Sequence, residues 1–188
     1  MQTTTLVTHE EYFELLTKSD FKLEYNAGEI VLMKGFDPAH NLVTINVIGS
    51  LGYCLKDTEL IMLGSQQLIR IEEVNKYTFP DLVITGLNPK FKKSSDGPDA
   101  LLNPEIVIEV LSDSTEKYDR LEKFDCYKTI PSFREYVLVS SKMKKVEVIK
   151  KLSEAEWLSH TYTEKDESVL ISECSILMAD IYNKVDLL

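Results

Sequence analysis

Apolar and polar positions along this chain of 188 residues recur with two periods, and the places where the period changes outline its elements. Thr8-His9-Glu10-Glu11 is a capping box ahead of Tyr12, Phe13, Leu15 and Leu16, so a short amphipathic helix is expected to run to about Lys18. Phe21 to Tyr25 and Glu29 to Lys34 flank Asn26-Ala27-Gly28, where Asn and Gly tolerate positive φ; a hairpin follows, with Glu24 on its first strand. From His40 to Leu55 the residues Leu42, Val43, Ile45, Ile48, Leu51, Cys54 and Leu55 recur at helical spacing and predict a core-facing helix. Leu60 to Leu63 is a further apolar run. Gln67 to Glu72 predicts a strand with Ile69 and Ile71 on one face and Leu68 and Arg70 on the other.

Thr78 to Thr85 predicts a strand entered through Pro80, which is tolerated at strand starts because it donates no ladder hydrogen bond, with Asp81 just inside it. The stretch from Gly86 to Asn103 is rich in Gly, Pro, Ser, Asp and Lys without periodicity, and is expected to be a long exposed loop. Glu105 to Leu111 is almost continuously apolar, as in a central strand covered on both faces. Ser112-Asp113-Ser114-Thr115 supplies capping groups for a helix to about Lys128, stopped by Ile130-Pro131. Strands at Glu135 to Ser140, Lys145 to Lys150, Glu156 to Tyr162 and Val169 to Ile171 precede a last helix at about Ile176 to Val185. The mixture predicts one α/β domain over residues 1–188, opened by a helix and a hairpin.

Composition narrows the class. An apolar content of 44% without low-complexity tracts predicts an ordered globule. No window reaches the roughly 18 apolar residues of a membrane span, and Met1 to Leu6 has no leader pattern, so a cytoplasmic protein without membrane contact is expected. Cys54, Cys126 and Cys174 are odd in number and widely spaced, which predicts buried thiols in a reducing compartment. The net charge of −10 repels polyanions, so any contact with one must rest on a local basic patch. The candidates are Lys90, Lys92 and Lys93, and a group of lysines between Lys142 and Lys151.

Glu109 contradicts its surroundings. A carboxylate inside an apolar strand is costly unless it is protonated, paired or bound to a metal. Asp81 is the natural partner, since it too leads into an apolar strand, Leu82-Val83-Ile84. Two such oxygen donors, completed by a backbone carbonyl and waters, suit Mg²⁺ or Mn²⁺. The alternative is a structural pair of acids bridged to Arg70 or a lysine. Asp119, Lys123 and Tyr127 stand four apart and share one helical face, either turned toward the strand ends or forming a surface ion pair above a core tyrosine.

The series Leu23-Glu24-Tyr25-Asn26-Ala27-Gly28-Glu29, His40, Pro80-Asp81-Leu82-Val83, Pro104-Glu105-Ile106-Val107-Ile108-Glu109-Val110-Leu111-Ser112-Asp113-Ser114-Thr115, then Asp119, Lys123, Tyr127 and Arg134-Glu135-Tyr136-Val137-Leu138-Val139 resembles the Uma-two family of restriction-endonuclease-like proteins. The resemblance covers roughly Phe21 to Lys151. It implies the PD-(D/E)xK nuclease fold, a mixed sheet flanked by helices, with Asp81 and Glu109 matching its two acids. It implies a Mg²⁺- or Mn²⁺-dependent endonuclease acting on DNA. The superfamily lysine two positions after the second acid is here Leu111. Lys123 would then supply the cation from the following helix, Glu24 would be an additional N-terminal acid, and His40, Asp119 and Tyr127 would line the site. Without a working cation the chain would be an idle nuclease-fold module acting through protein contacts. Edge strands between Lys145 and Tyr162 allow a homodimer.

Overall fold

The structure is a computed structural model that describes residues 6–33, 37–94, 97–112 and 116–187. Two six-stranded sheets carry it. In the first, β1 (Leu23–Asn26) and β2 (Glu29–Leu32) form the expected hairpin, joined to β5 (Lys76–Thr78), β4 (Leu68–Ile71), β8 (Ala100–Leu101) and β7 (Phe91–Lys92) in the order β2-β1-β5-β4-β8-β7. The hairpin turn needs positive φ at both Ala27 (48°) and Gly28 (101°), the combination that matches strand twist in two-residue turns. The second sheet has the order β12-β11-β10-β9-β6-β3, from β12 (Trp157–Thr163), β11 (Lys145–Lys151), β10 (Glu135–Ser140), β9 (Ile106–Leu111), β6 (Leu82–Gly86) and β3 (Leu60–Leu63). Within it β9 and β10 are parallel, while β6 runs antiparallel to β9 with Leu82 opposite Ile108 and Ile84 opposite Ile106.

Each face of the second sheet is covered, which explains the near-continuous apolar run of β9. Ile106, Ile108 and Val110 face α2 (Pro38–Leu55), whose Val43, Val47, Leu51 and Leu55 are buried, and the hairpin of β13 (Ser168–Ile171) with β14 (Cys174–Leu177). Val107 and Leu111 face the opposite way, toward Tyr127, Ile130, Phe133 and Tyr136 and toward Ile69 and Ile71 of the first sheet. Glu109 shares this second face by alternation. The outer face of the first sheet is closed by α1 (His9–Lys18), which has the expected Thr8 and Glu11 capping box. There Tyr12 stacks on Tyr77 at 5.4 Å and donates its hydroxyl to the Leu23 carbonyl at 2.9 Å.

Several expectations are corrected. The strand expected over Thr78 to Thr85 is two strands in different sheets, because Phe79-Pro80-Asp81 carries the chain from β5 to β6 and Pro80 cannot continue a ladder. Asp81 therefore precedes β6 instead of lying inside it. The run Leu60 to Leu63 is a strand, and the loop from Gly86 to Asn103 holds β7 and β8, too short to show a period. The helix expected to Lys128 is α3 (Glu116–Tyr118), a π-helical turn (Asp119–Lys123) and α4 (Phe124–Tyr127). Its proposed caps Asp113, Ser114 and Thr115, like Lys34 of the hairpin, lie outside the described residues. The last helix shrinks to α5 (Met178–Ile181), because Ile176 belongs to β14.

The cysteines are not all thiols: Cys54, near the end of α2, and Cys174, on β14, form a disulfide across 120 residues, while Cys126 is free. Wide spacing in sequence did not keep them apart, because α2 packs against β14. Among the described residues no helix is long and apolar enough to cross a membrane.

Candidate active site

The site lies where the two sheets meet, between β1, the Phe79-Pro80-Asp81 crossing, β9 and the π-helical turn. Glu109 is 3% exposed on β9. Its Oε1 receives the Lys123 ammonium at 2.9 Å and the Tyr127 hydroxyl at 3.3 Å, and its Oε2 accepts the Asp81 N–H at 3.4 Å. Burial pushes the Glu109 carboxyl well above its ordinary range; Lys123 opposes this, while Asp119 and Asp81 add to it.

Asp81 is held on the same seam. Its Oδ2 accepts the Val110 N–H at 2.7 Å and lies 3.2 Å from the His40 Nε2. The antiparallel pairing of β6 with β9 produces this crossing of contacts, each acid touching the backbone beside the other. His40 is buried in the first turn of α2, which begins at an Asp37 cap whose carboxylate accepts the His40 N–H at 2.8 Å.

Lys123 is 1% exposed, so the surface ion-pair alternative does not describe it. Around its ammonium stand Glu109 Oε1, the Phe79 carbonyl and Glu24 Oε1 at 3.4 Å each for the latter two, and Asp119 Oδ1 at 3.5 Å. Burial alone would lower its pKa, but Glu109, Glu24, Tyr127 and Asp119 hold it well above the ordinary lysine value. Asp119, Lys123 and Tyr127 do share one buried face, and the π-helical turn between the first two widens the helix where they enter the site.

Glu24 is fully buried on β1 and both its oxygens are engaged. Oε1 accepts from the Thr78 hydroxyl at 2.5 Å and the Phe79 N–H at 3.1 Å, and Oε2 from the Tyr118 hydroxyl at 2.9 Å. Burial would raise its pKa, but Lys123, Thr78, Lys76 and the Phe79 N–H together bring it below the usual value. Sequence reasoning missed Thr78, Tyr118 and Lys76, whose ammonium meets the Tyr118 hydroxyl at 2.5 Å. Their signal was faint, since Lys76 alternates with Tyr77 on a strand of three residues. The two lysine groups expected as a basic patch belong to different sheets, Lys92 to β7 of the first and Lys145 to Lys151 to β11 of the second.

Leu111 occupies the position two after Glu109 and is packed in the core, while Lys123 meets Glu109 from the helix that follows. Among the described residues no three His, Cys, Asp or Glu side chains are grouped to hold a metal by themselves. Asp81 and Glu109 still fit a hard divalent ion in the chemistry of their donors: both are carboxylates on adjoining elements, with the Asp81 N–H 3.4 Å from Glu109 Oε2.

Two uncharacterised proteins of Synechocystis sp. align over most of their length: sll1609 is 32% identical over 156 residues, 83% of this chain and 87% of the relative, and slr1290 is 31% identical over 163 residues, 87% and 84%. A crystal structure of a "putative nuclease belonging to DUF820" from Anabaena variabilis superimposes with a TM-score of 0.68 at 15% identity, covering 90% of this chain and 96% of that one, which shows a common fold. The model of the Uma2 family, described as "Putative restriction endonuclease", matches residues 9–176, and the chain belongs to that family.

Proposed function

We propose that the protein is a Mg²⁺- or Mn²⁺-dependent endonuclease that hydrolyses DNA phosphodiester bonds in the cytoplasm, with Asp81 and Glu109 holding the ion. The observation that carries the reading is the buried Lys123 ammonium 2.9 Å from Glu109 Oε1, a cation at the second acid supplied from the helix in place of the strand. When bound, the ion would polarise the phosphate and make an attacking water more acidic.

The protein's own groups divide the remaining work. Lys123, held well above its ordinary pKa, stays protonated and serves as a hydrogen-bond donor that positions the attacking water, not as a general base. Glu24, tied to Thr78 and Tyr118 and 3.4 Å from the Lys123 ammonium, acts as a positioning residue for Lys123. His40 and the Val110 N–H fix the orientation of Asp81, Tyr127 fixes Glu109, and Asp119 steadies Lys123 from below. No covalent intermediate is needed. A second copy pairing along β12, the outer strand of its sheet, would present two such sites to the two strands of a duplex.

The test is cleavage of supercoiled plasmid with Mg²⁺ or Mn²⁺, beside Asp81→Ala, Glu109→Ala and Lys123→Met. Wild-type cutting lost in all three is expected. Cutting that persists in both acid variants assigns it to a contaminant, and a folded wild type that cuts nothing supports the idle module.

A further inference from the structure

Lys22 has no part in the roles described so far. It immediately precedes β1 and is half-buried, with its ammonium 5.6 Å from the centre of the Phe79 ring and 2.5 Å from the Ser65 carbonyl. Phe79 belongs to the crossing that delivers Asp81, and its carbonyl receives Lys123 from the buried side. Lys22 and Lys123 thus address the same crossing, one from its half-open side and one from the interior. Burial lowers the Lys22 pKa, and the charges of Asp81 and Glu109 oppose that fall more strongly than that of Glu24, which is nearer in sequence.

The site also has a deficit that Lys22 can meet. Lys123 is surrounded by three carboxylates and a carbonyl and is 1% exposed, so it cannot reach out to a phosphate without abandoning them. Lys76 is likewise buried, against Tyr118. A DNA backbone approaching this group of acids on a protein of net charge −10 needs a cation beside them. An ammonium has three donors, and the Ser65 carbonyl takes one of those of Lys22.

We propose that Lys22 binds a non-bridging oxygen of the DNA phosphate presented to Asp81 and Glu109, drawing the backbone into the site. The inference rests on the nuclease reading and deepens it. The test measures binding of a fluorescein-labelled duplex by anisotropy in Ca²⁺ over a range of NaCl, for wild type, Lys22→Met and Lys22→Arg, with melting temperatures to establish folding. Lys22→Met is expected to weaken binding about tenfold and to reduce the slope of log affinity against log salt by about 1, with Lys22→Arg close to wild type. Affinity and slope unchanged in folded Lys22→Met overturn the role of Lys22 alone. A wild type that neither binds nor cuts DNA overturns the nuclease reading, and the phosphate role with it.

Discussion

Replacing Lys123 with Met keeps most of the side-chain volume and removes the charge that three buried carboxylates share. Breaking a buried ion pair from one side costs about 3–5 kcal/mol, because the partners stay behind uncompensated. Glu24 retains the Thr78 hydroxyl, the Phe79 N–H and Tyr118, so most of the loss falls on Glu109, left with Tyr127 and a long contact to the Asp81 N–H. For a domain of this size each kcal/mol moves the melting temperature by about 2–4 °C, giving a fall of about 6–20 °C at pH 7.5. The sign with pH is fixed by Glu109. Its folded pKa lies above the unfolded value even in the wild type, so its ionisation opposes folding above that unfolded value and the penalty is relieved as pH falls through the folded pKa. Removing Lys123 raises that pKa further. The deficit of Lys123→Met should therefore narrow between pH 7.5 and 5.5, measured by circular dichroism melts of both proteins. A variant as stable as wild type at pH 7.5, or a deficit that widens on acidification, refutes the claim that Lys123 compensates Glu109.

The disulfide and the helix cap give independent checks. Closing a loop of more than a hundred residues restricts the unfolded chain, so reduction, or Cys54→Ser, should cost about 2–4 kcal/mol, read as a lower urea midpoint; an unchanged midpoint means that the Cys54–Cys174 bond does not form in solution. Asp37→Ala removes the side-chain acceptor for the His40 N–H and should cost about 1 kcal/mol. Because His40 touches Asp81, the same change should slow plasmid cutting; a cap loss without any change in rate would detach His40 from the site.

Much of the site was legible because its residues violate their surroundings. Glu109 stands out in a run of aliphatic residues, and a carboxylate there requires a partner whatever the fold. The four-residue spacing of Asp119, Lys123 and Tyr127 survived the π-helical turn, since one widened turn still leaves these positions on one side of the helix. What stayed hidden depended on contacts between distant segments. Thr78 and Asp81 read as parts of one strand, because a change of sheet leaves only Pro80 as its mark. Cys54 and Cys174 read as thiols because pairing follows the packing of α2 on β14, which no local period encodes. Ile176 suited the apolar face of a helix as well as the alternation of β14, and the short hairpin with β13 decided between them.

The Phe79-Pro80-Asp81 crossing contributes the Phe79 N–H to Glu24, the Phe79 carbonyl to Lys123 and the Asp81 N–H to Glu109, so one stretch of backbone addresses both layers. The chemistry is then a property of the joint and of neither layer alone. Neither sheet, excised and stabilised by itself, would retain half an activity. Substitutions deep in either one, away from Glu24 and Glu109, should leave the reaction untouched as long as the angle between the sheets is kept, whereas lengthening the joint by a single residue should separate the acids while both sheets stay folded.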